Sequence, residues 1–388
     1  MQFAATLPVL DYMSGPEIYG LREKSIPFRV LHVINSAGWE CSGIAKLALG
    51  FAQGADASLC SVDLLFLRPG PLLEQFRRSG ISTHLLTTEN QNGVLAFPIL
   101  LHFLRKGSYD IVHLHNGGRL TQYAAKLSGA SVVLQIHGLS ESGGKGHRAF
   151  PVVFADEVVV VSEFVARAMG DRKVTVVHPG IEFPMSDSEP HRLRDIPVVG
   201  TLGRLVRVKG IAHLLGAFSQ VLRELPEARL EIAGDGPELE ALVQEGERLG
   251  ITSSVSFLGW VQRPQEVLSR WSVYAQPSLE EAAGLGVLEA SAAKLPVIAS
   301  RVGGLPEMMQ DGVSGYLVEP GDETGLAKAL IKVLVSPEEA GTMGDAGSAL
   351  VKSRFSLERM CSGVQAIYGR LLTSARSRRM KENTLIAS

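Results

Sequence analysis

The chain has 388 residues, of which 45% are hydrophobic and 20% charged, and its formal net charge is −2. That length predicts two hydrophobic cores, and the apolar fraction excludes a disordered chain. The near-neutral balance leaves no whole-chain footprint for nucleic acid or for an anionic lipid surface.

Three cysteines, Cys41, Cys60 and Cys361, are odd in number and lack metal-ligand spacing. They fit a reducing cytoplasm better than an oxidising compartment, with the inner face of a membrane left open as a working position. The opening stretch, MQFAATLPVLDYMSGPEIYG, lacks a basic start, and Pro8 and Asp11 interrupt its apolar run. It reads as an extension over residues 1–27 and not as a signal peptide. The most apolar piece, VLAFPILLHFLRKG, contains Pro98 and is too short to span a bilayer.

From residue 28 the chain alternates β-branched runs with amphipathic helical patterns. FRVLHVI, VDLLFL, DIVHLH, SVVLQIH, EVVVVS and KVTVVH are continuous apolar runs, as expected of parallel strands buried on both faces. GIAKLALGFAQ, GPLLEQFRRSG and RLTQYAAKLSG lie between them with helical periodicity. A polar, proline-bearing stretch at residues 183–196 reads as a linker. The rhythm then restarts with strands PVVGTLGR, ARLEIAGDG, VSFLGW, VYAQPS, PVIAS and GYLVEP, and with helices such as GIAHLLGAFSQVLREL, PELEALVQEGERLG and GLAKALIKVL. The prediction is an α/β protein of two Rossmann-like, doubly wound domains, residues 28–182 and 197–355, with a ligand cleft between them. Residues 356–388 read as a helix with a basic tail that packs back on the first domain.

The segment PSLEEAAGLGVLEASAAKLPVIAS carries the most chemistry. Glu281 stands at a strand-to-helix turn and Glu289 one turn into the helix, with Gly284 between them. The helix start exposes unpaired N–H groups suited to an anion, and the carboxylates suit sugar hydroxyls, which donate. Glu289 sits in an apolar context (GVLEASAA), where an unpaired carboxylate is costly. Upstream, GTLGRLVRVKG presents Arg204 and Lys209 just past a strand, a planar fork and a point charge for two phosphates. In the first half, strand FRVLHVI leads to Ser42–Gly43, a glycine turn opening a helix, where backbone N–H groups could meet phosphate. Neither a P-loop nor a G-x-G-x-x-G fingerprint occurs there. His113 and His115 read as structural. Arg77, Arg78, Arg105 and Lys106 read first as solvated helix faces that could also approach an anionic lipid acceptor.

The spacing of Glu281 and Glu289 resembles the E-x7-E signature of the retaining glycosyltransferases of the GT-B fold, family 4. GTLGRLVRVKG is similar to that family's G-R-L-x-x-x-K-G block, LEIAGDGPE to its G-x-G-P block and FLGWV to its F-x-G-x-V strand. GGLPEMMQDGVSGYLVEPGD resembles the region after the second glutamate, and DIVHLHN, VVLQIHG, VVVVSE and VVHPGIE match looser first-domain landmarks. The resemblance implies that Arg204 and Lys209 neutralise a departing diphosphate. Glu289 would hold ribose hydroxyls, and Glu281 would contact the transferred sugar. Gly284, Leu285 and Gly286 would bring backbone N–H groups beside it, and Gly43 would approach the diphosphate from the first domain. Gly234 and Val261, in the second and third blocks, would join donor binding, and His137 matches a histidine facing the donor sugar. The implied substrate is a nucleoside-diphosphate sugar, and the implied acceptor a glycan, a lipid-linked glycan or a small molecule, in polysaccharide, lipopolysaccharide or glycoconjugate synthesis. No metal and no other cofactor is implied, no nucleic acid is a partner, and a peripheral membrane contact stays open. Two positions depart from the pattern: Glu281-Ala282-Ala283-Gly284 replaces E-G-F-G, and Lys46 stands where arginine is common. A nucleotide-sugar epimerase of the same fold and a non-catalytic sugar-nucleotide-binding partner are the rival readings.

Overall fold

The computed structural model describes residues 27–86, 93–139, 152–183 and 196–387. The extension before residue 27 and linker residues 184–195 lie outside them. So do residues 89–92 of the first-domain loop ENQNGVLAF, all of the loop SESGGKGHR, and the last side chains of the basic tail.

The first half runs β1 (Phe28–Ile34), α1 (Ser42–Gly54), β2 (Cys60–Phe66), α2 (Leu72–Arg78), β3 (Thr83–Leu85), α3 (Gly93–Gly107), β4 (Ile111–His115), α4 (Arg119–Leu127), β5 (Ser131–Ile136), β6 (Glu157–Val160), α5 (Glu163–Ala168) and β7 (Thr175–Val176). The second half runs β8 (Val198–Leu202), α6 (Ile211–Glu224), β9 (Arg229–Ala233), α7 (Leu239–Arg248), β10 (Val255–Gly259), α8 (Pro264–Leu268), β11 (Val273–Gln276), α9 (Leu285–Ala292), β12 (Val297–Ser300), α10 (Leu305–Met308), β13 (Gly315–Val318), α11 (Glu323–Leu334) and α12 (Pro337–Arg354). A last helix, α13 (Leu357–Ala387), follows.

The strands form two sheets, ordered β3-β2-β1-β4-β5-β6-β7 and β10-β9-β8-β11-β12-β13. Strand pairing is parallel throughout, for example Val30 beside Ile111 and Val199 beside Leu230. Both orders reverse direction beside their first strand. That opens a crevice beyond the C-terminal ends of β1 and β4 in one sheet and of β8 and β11 in the other. The two crevices face each other. The fold is therefore the predicted α/β pair of doubly wound sheets.

Several details differ from expectation. KVTVVH keeps strand geometry only at Thr175–Val176, and the short strand β3 carries too little apolar pattern to be predicted. Pro98 lies inside α3. Ser42 and Gly43 belong to the first turn of α1, after a short 3-10 turn at Trp39–Cys41, so the anticipated glycine turn is helix. Among the described residues, no helix is long and apolar enough to cross a membrane.

Residues from α13 complete the first half's core. Met360, Cys361, Val364, Ile367 and Tyr368 pack with Val30, Phe51, Ile111 and Val133. This face of the first sheet also holds a run of buried histidines. His32 pairs in register with His113, and His115 follows two positions on, so all three point to one face. Their rings stack, His32 on His113 at 4.6 Å and His113 on His115 at 4.8 Å between centroids. The second half packs Trp271 over the backbone of Gly200, and its indole N–H donates to Glu231 at 2.8 Å.

Two predictions follow from this packing. A Cβ on Gly200 would lie 1.8 Å from the Trp271 ring, so Gly200→Ala should destabilise the protein by about 1–3 kcal/mol, read as a lower urea midpoint. The second concerns acid. Burial, with a smaller contribution from His137, lowers His32 from its ordinary 6.5 to about 3. Burial first, and neighbouring histidines after it, hold His113 and His115 well below 6.5. The native state therefore binds fewer protons than the unfolded chain once the pH falls below about 6.5. Stability from these groups is fully present above that value and is lost as pH falls toward their depressed values, at about 1.4 kcal/mol per pH unit for each ring. Urea midpoints should drop steeply between about pH 6.5 and 5, above the carboxylate range, and a flat profile there would contradict the burial of neutral rings.

Candidate functional site

The facing crevices enclose a cavity of about 530 Å³, lined by His137, Gly43, Arg204, Lys209, Gly234, Val261, Glu281, Gly284, Leu285, Gly286 and Glu289 together. All eleven residues singled out in the sequence thus meet in one space. Each reaches it for a local reason.

On the first-sheet side, β1 leads through the Trp39–Cys41 turn into α1. The residue before α1, Cys41, supplies no side-chain cap, and the Ser42 N–H is taken by the Trp39 carbonyl, so the start of α1 that lines the cavity is closed by backbone alone. Beyond β4, Asn116 takes a positive φ of 54°, a conformation asparagine tolerates better than most residues. Its amide oxygen accepts the His137 backbone N–H at 2.9 Å and so holds His137 at the end of β5.

On the second-sheet side, the chain past β8 carries Arg204 on an exposed turn and Lys209 in the 3-10 turn Arg207–Lys209. That turn ends at Gly210 (φ 65°), where a Cβ would strike the Pro277 carbonyl at 2.0 Å. The close approach brings Lys209 against Glu281, and the two form an ion pair with both side chains mostly covered. Gln276 and Ser278 add polar contacts to the same Glu281 oxygen, each at 3.4 Å. Beneath them the buried Tyr274 hydroxyl donates to Gln276. Its own ionisation is pushed well up, by burial first and then by the charges of Glu289 and Glu281.

Gly284 starts α9 in the left-handed region (φ 87°, ψ 60°) without a side-chain cap. A Cβ there would lie 2.4 Å from Leu305. Gly43 faces Leu285 closely enough that a Cβ would sit 3.3 Å from its methyl, so the N-terminal turns of α1 and α9 meet across the cavity. Glu289, one turn into α9, is paired with Lys46 of α1. Lys46, which stands where arginine is common in the resembled family, here holds a carboxylate of the opposite half.

The seam behind the cavity is polar and specific. Glu307 accepts the backbone N–H groups of Glu163 and Phe164, both at 2.7 Å, and lies 3.2 Å from His178. Burial acts to raise the Glu307 carboxyl, but the His178 and backbone hydrogen bonds outweigh it and leave it below its ordinary value. The Ser162 hydroxyl donates to the Ala282 carbonyl at 2.6 Å. In front, Trp39 packs against Trp260 with ring centroids 4.0 Å apart and planes tilted by 30°, one indole from each half. Sequence reading did not find Asn116, the tryptophan pair or the Glu307 seam. An asparagine directly after a buried strand was the available signal for the first; the others join distant segments and carry none.

A family model described as Glycosyltransferase Family 4 matches residues 41–183, and one described as Glycosyl transferases group 1 matches residues 196–336. The chain is 36% identical over 162 residues to N-acetyl-alpha-D-glucosaminyl L-malate synthase of Bacillus anthracis, a match spanning 42% of each protein, less than half of that relative's length. It is 30% identical to D-inositol 3-phosphate glycosyltransferase of Streptomyces coelicolor over 71% of this chain and 72% of that one. The fold matches Anabaena Alr3699/HepE, solved in complex with UDP-glucose, with a TM-score of 0.74 and 20% identity over 89% of this chain and 99% of that one. The matched segments together take in both crevice-bearing halves, and on them the chain belongs to glycosyltransferase family 4, the glycosyl transferases group 1, with the GT-B fold.

Proposed function

We propose that this protein is a retaining, metal-independent glycosyltransferase that moves a hexose-type sugar from a nucleoside diphosphate to an acceptor hydroxyl. The observation that carries the reading is a cavity that holds Arg204, Lys209, Glu281 and Glu289 beside the uncapped start of α9 and the first turn of α1. A diphosphate needs fixed positive potential, and helix ends and cations provide it. Sugar hydroxyls need acceptors, and the two carboxylates provide them.

In this reading the bond between the anomeric carbon and the diphosphate oxygen breaks while Arg204, Lys209 and the open N–H groups stabilise the leaving charge. The acceptor oxygen bonds to the same face of that carbon, and its proton passes to the departing phosphate oxygen. No side-chain nucleophile is required. Glu281 orients the sugar, and Glu289 exchanges Lys46 for ribose hydroxyls. Arg204 and Lys209 would supply the charge neutralisation that a divalent cation provides in other phosphate-handling sites. The three unpaired thiols support a cytoplasmic setting. The acceptor is a glycan, a lipid-linked glycan or a small molecule, selected by first-domain loops.

Thermal unfolding with UDP, GDP and ADP at equal concentration tests the donor site, because a ligand of the folded state raises Tm by mass action. One nucleotide should raise Tm selectively, and Arg204→Ala should abolish the shift; no shift with any of the three would count against the reading. With the matching sugar nucleotide, Arg204→Ala, Lys209→Ala and Glu281→Ala should each reduce transfer by about a hundredfold or more while the protein stays folded, and EDTA should leave the wild-type rate unchanged. Near-normal turnover in all three variants would overturn the assignment, and an isomerised sugar nucleotide in place of free nucleotide would indicate an epimerase.

A further inference from the structure

The buried histidines of the first sheet form a continuous hydrogen-bonded line that ends in the cavity. The Tyr368 hydroxyl, on α13, lies 3.0 Å from His32 Nε2. His32 Nδ1 lies 2.9 Å from His115 Nε2, and His115 Nδ1 lies 2.7 Å from His137 Nε2. His137 lines the cavity. Tyr368 also contacts His113 Nδ1 at 2.6 Å. Tyr368, His32, His113 and His115 are each at most 2% exposed.

Burial keeps all four imidazoles neutral. A neutral imidazole has one N–H and one lone pair, so a line of them has a direction: every N–H points toward the cavity or every one points away. His113 decides which. Its Nε2 is buried without a hydrogen-bond partner. The Gln135 amide acts on His113 as a hydrogen-bonding neighbour that favours its proton, the smallest of the influences on that ring, but its geometry leaves Nε2 without a bond. If the line ran away from the cavity, Tyr368 would donate to His113 Nδ1, and the orphan at Nε2 would be an N–H. If it runs toward the cavity, His113 Nδ1–H donates to Tyr368, Tyr368 donates to His32, and the orphan is a lone pair. A buried N–H with no acceptor is the rarer and costlier defect.

We propose that Tyr368, His32 and His115 act as positioning residues that fix the tautomer of His137, so that its Nδ1–H faces the cleft as a hydrogen-bond donor. The inference rests on the donor-sugar reading above for its functional meaning. Ionised diphosphate oxygens accept, and sugar hydroxyls accept as well as donate. A ring lone pair aimed at them would repel the charge that grows on the leaving group; an N–H attracts it. Since His137 does not protonate in this setting, the tautomer is its means of offering a proton to the ligand. The relay also ties that proton to α13, whose docking puts Tyr368 at the far end of the line.

The test uses the full chain labelled with ¹⁵N in its histidine rings. Long-range ¹H–¹⁵N spectra report which ring nitrogen carries the proton, and the His137 signals are identified by their loss in His137→Gln. The expected wild-type spectrum shows His137 protonated at Nδ1 and bare at Nε2. Tyr368→Phe and His115→Leu should each shift His137 toward a mixture of tautomers. With sugar nucleotide, each should lower kcat about tenfold or more with little change in donor KM, since a mis-set histidine tautomer acts on the chemical step. His115→Gln, which still donates an amide N–H to His137, should recover most of the His115→Leu loss. A proton on His137 Nε2 in the wild type would overturn the relay, as would a folded Tyr368→Phe with unchanged His137 signals and kcat. The wild-type spectrum needs no turnover, so a protein that transfers no sugar would refute the donor reading while the spectrum still decides the tautomer.

Discussion

An open cleft that gathers lysines and glutamates from two halves of a chain has to keep those charges compensated while it is empty. Here that requirement is met by two pairs, Lys209 with Glu281 and Lys46 with Glu289. Removing either lysine would leave a largely covered carboxylate without its partner, which costs more than the pair contributes, whereas Lys46 is half exposed and could turn to water if Glu289 were lost. Both pairs also have a second use. Under the proposed function, each carboxylate that waits on a lysine turns to a hydroxyl and each lysine released turns to a phosphate. Lys209–Glu281 is internal to the second half. Lys46–Glu289 spans the cleft, so ligand exchange at Glu289 is also a change in what holds the two halves together. Trp39 on Trp260 in front and Glu307 on the start of α5 behind supply contacts that such an exchange does not break.

The sheets serve this cleft by repeating one topological device. Each reverses strand order beside its first strand, so the C-terminal ends of β1, β4 and β5 and of β8 and β11 feed loops into the same space. Asn116 and His137 arrive from one set of ends; Arg204, Lys209 and Glu281 arrive from the other. Helix starts then provide what side chains cannot, N–H groups fixed by the backbone and already oriented.

Much of this was legible in the chain because the second half keeps its chemistry local. Glu281, Gly284 and Glu289 lie within one strand-turn-helix segment, and Arg204 and Lys209 within another. Continuous apolar runs announced most strands because parallel strands are buried on both faces. What escaped was short or non-local. β3 has three half-buried residues and no period to detect. Lys46 and Glu289 are 243 positions apart, and no spacing links the two tryptophans. His113 and His115 were read as structural from their place in a strand. Their alternation was visible, but Tyr368, 255 positions beyond His113, was not foreseeable as the end of the same line.

The return of α13 to the first half makes that domain discontinuous in the chain. Its core lacks Met360, Val364, Ile367 and Tyr368 until the whole second domain has been synthesised. Domains are usually completed in order as they leave the ribosome. This one is begun first and closed last. Until α13 docks, the nascent first domain exposes an apolar groove beside imidazoles that are free to take up protons, and the cleft has only one finished wall. Completion of the first core is thereby tied to translation through α13, and a chain halted after the second sheet would hold most of the cavity's charged residues beside a first domain that cannot close.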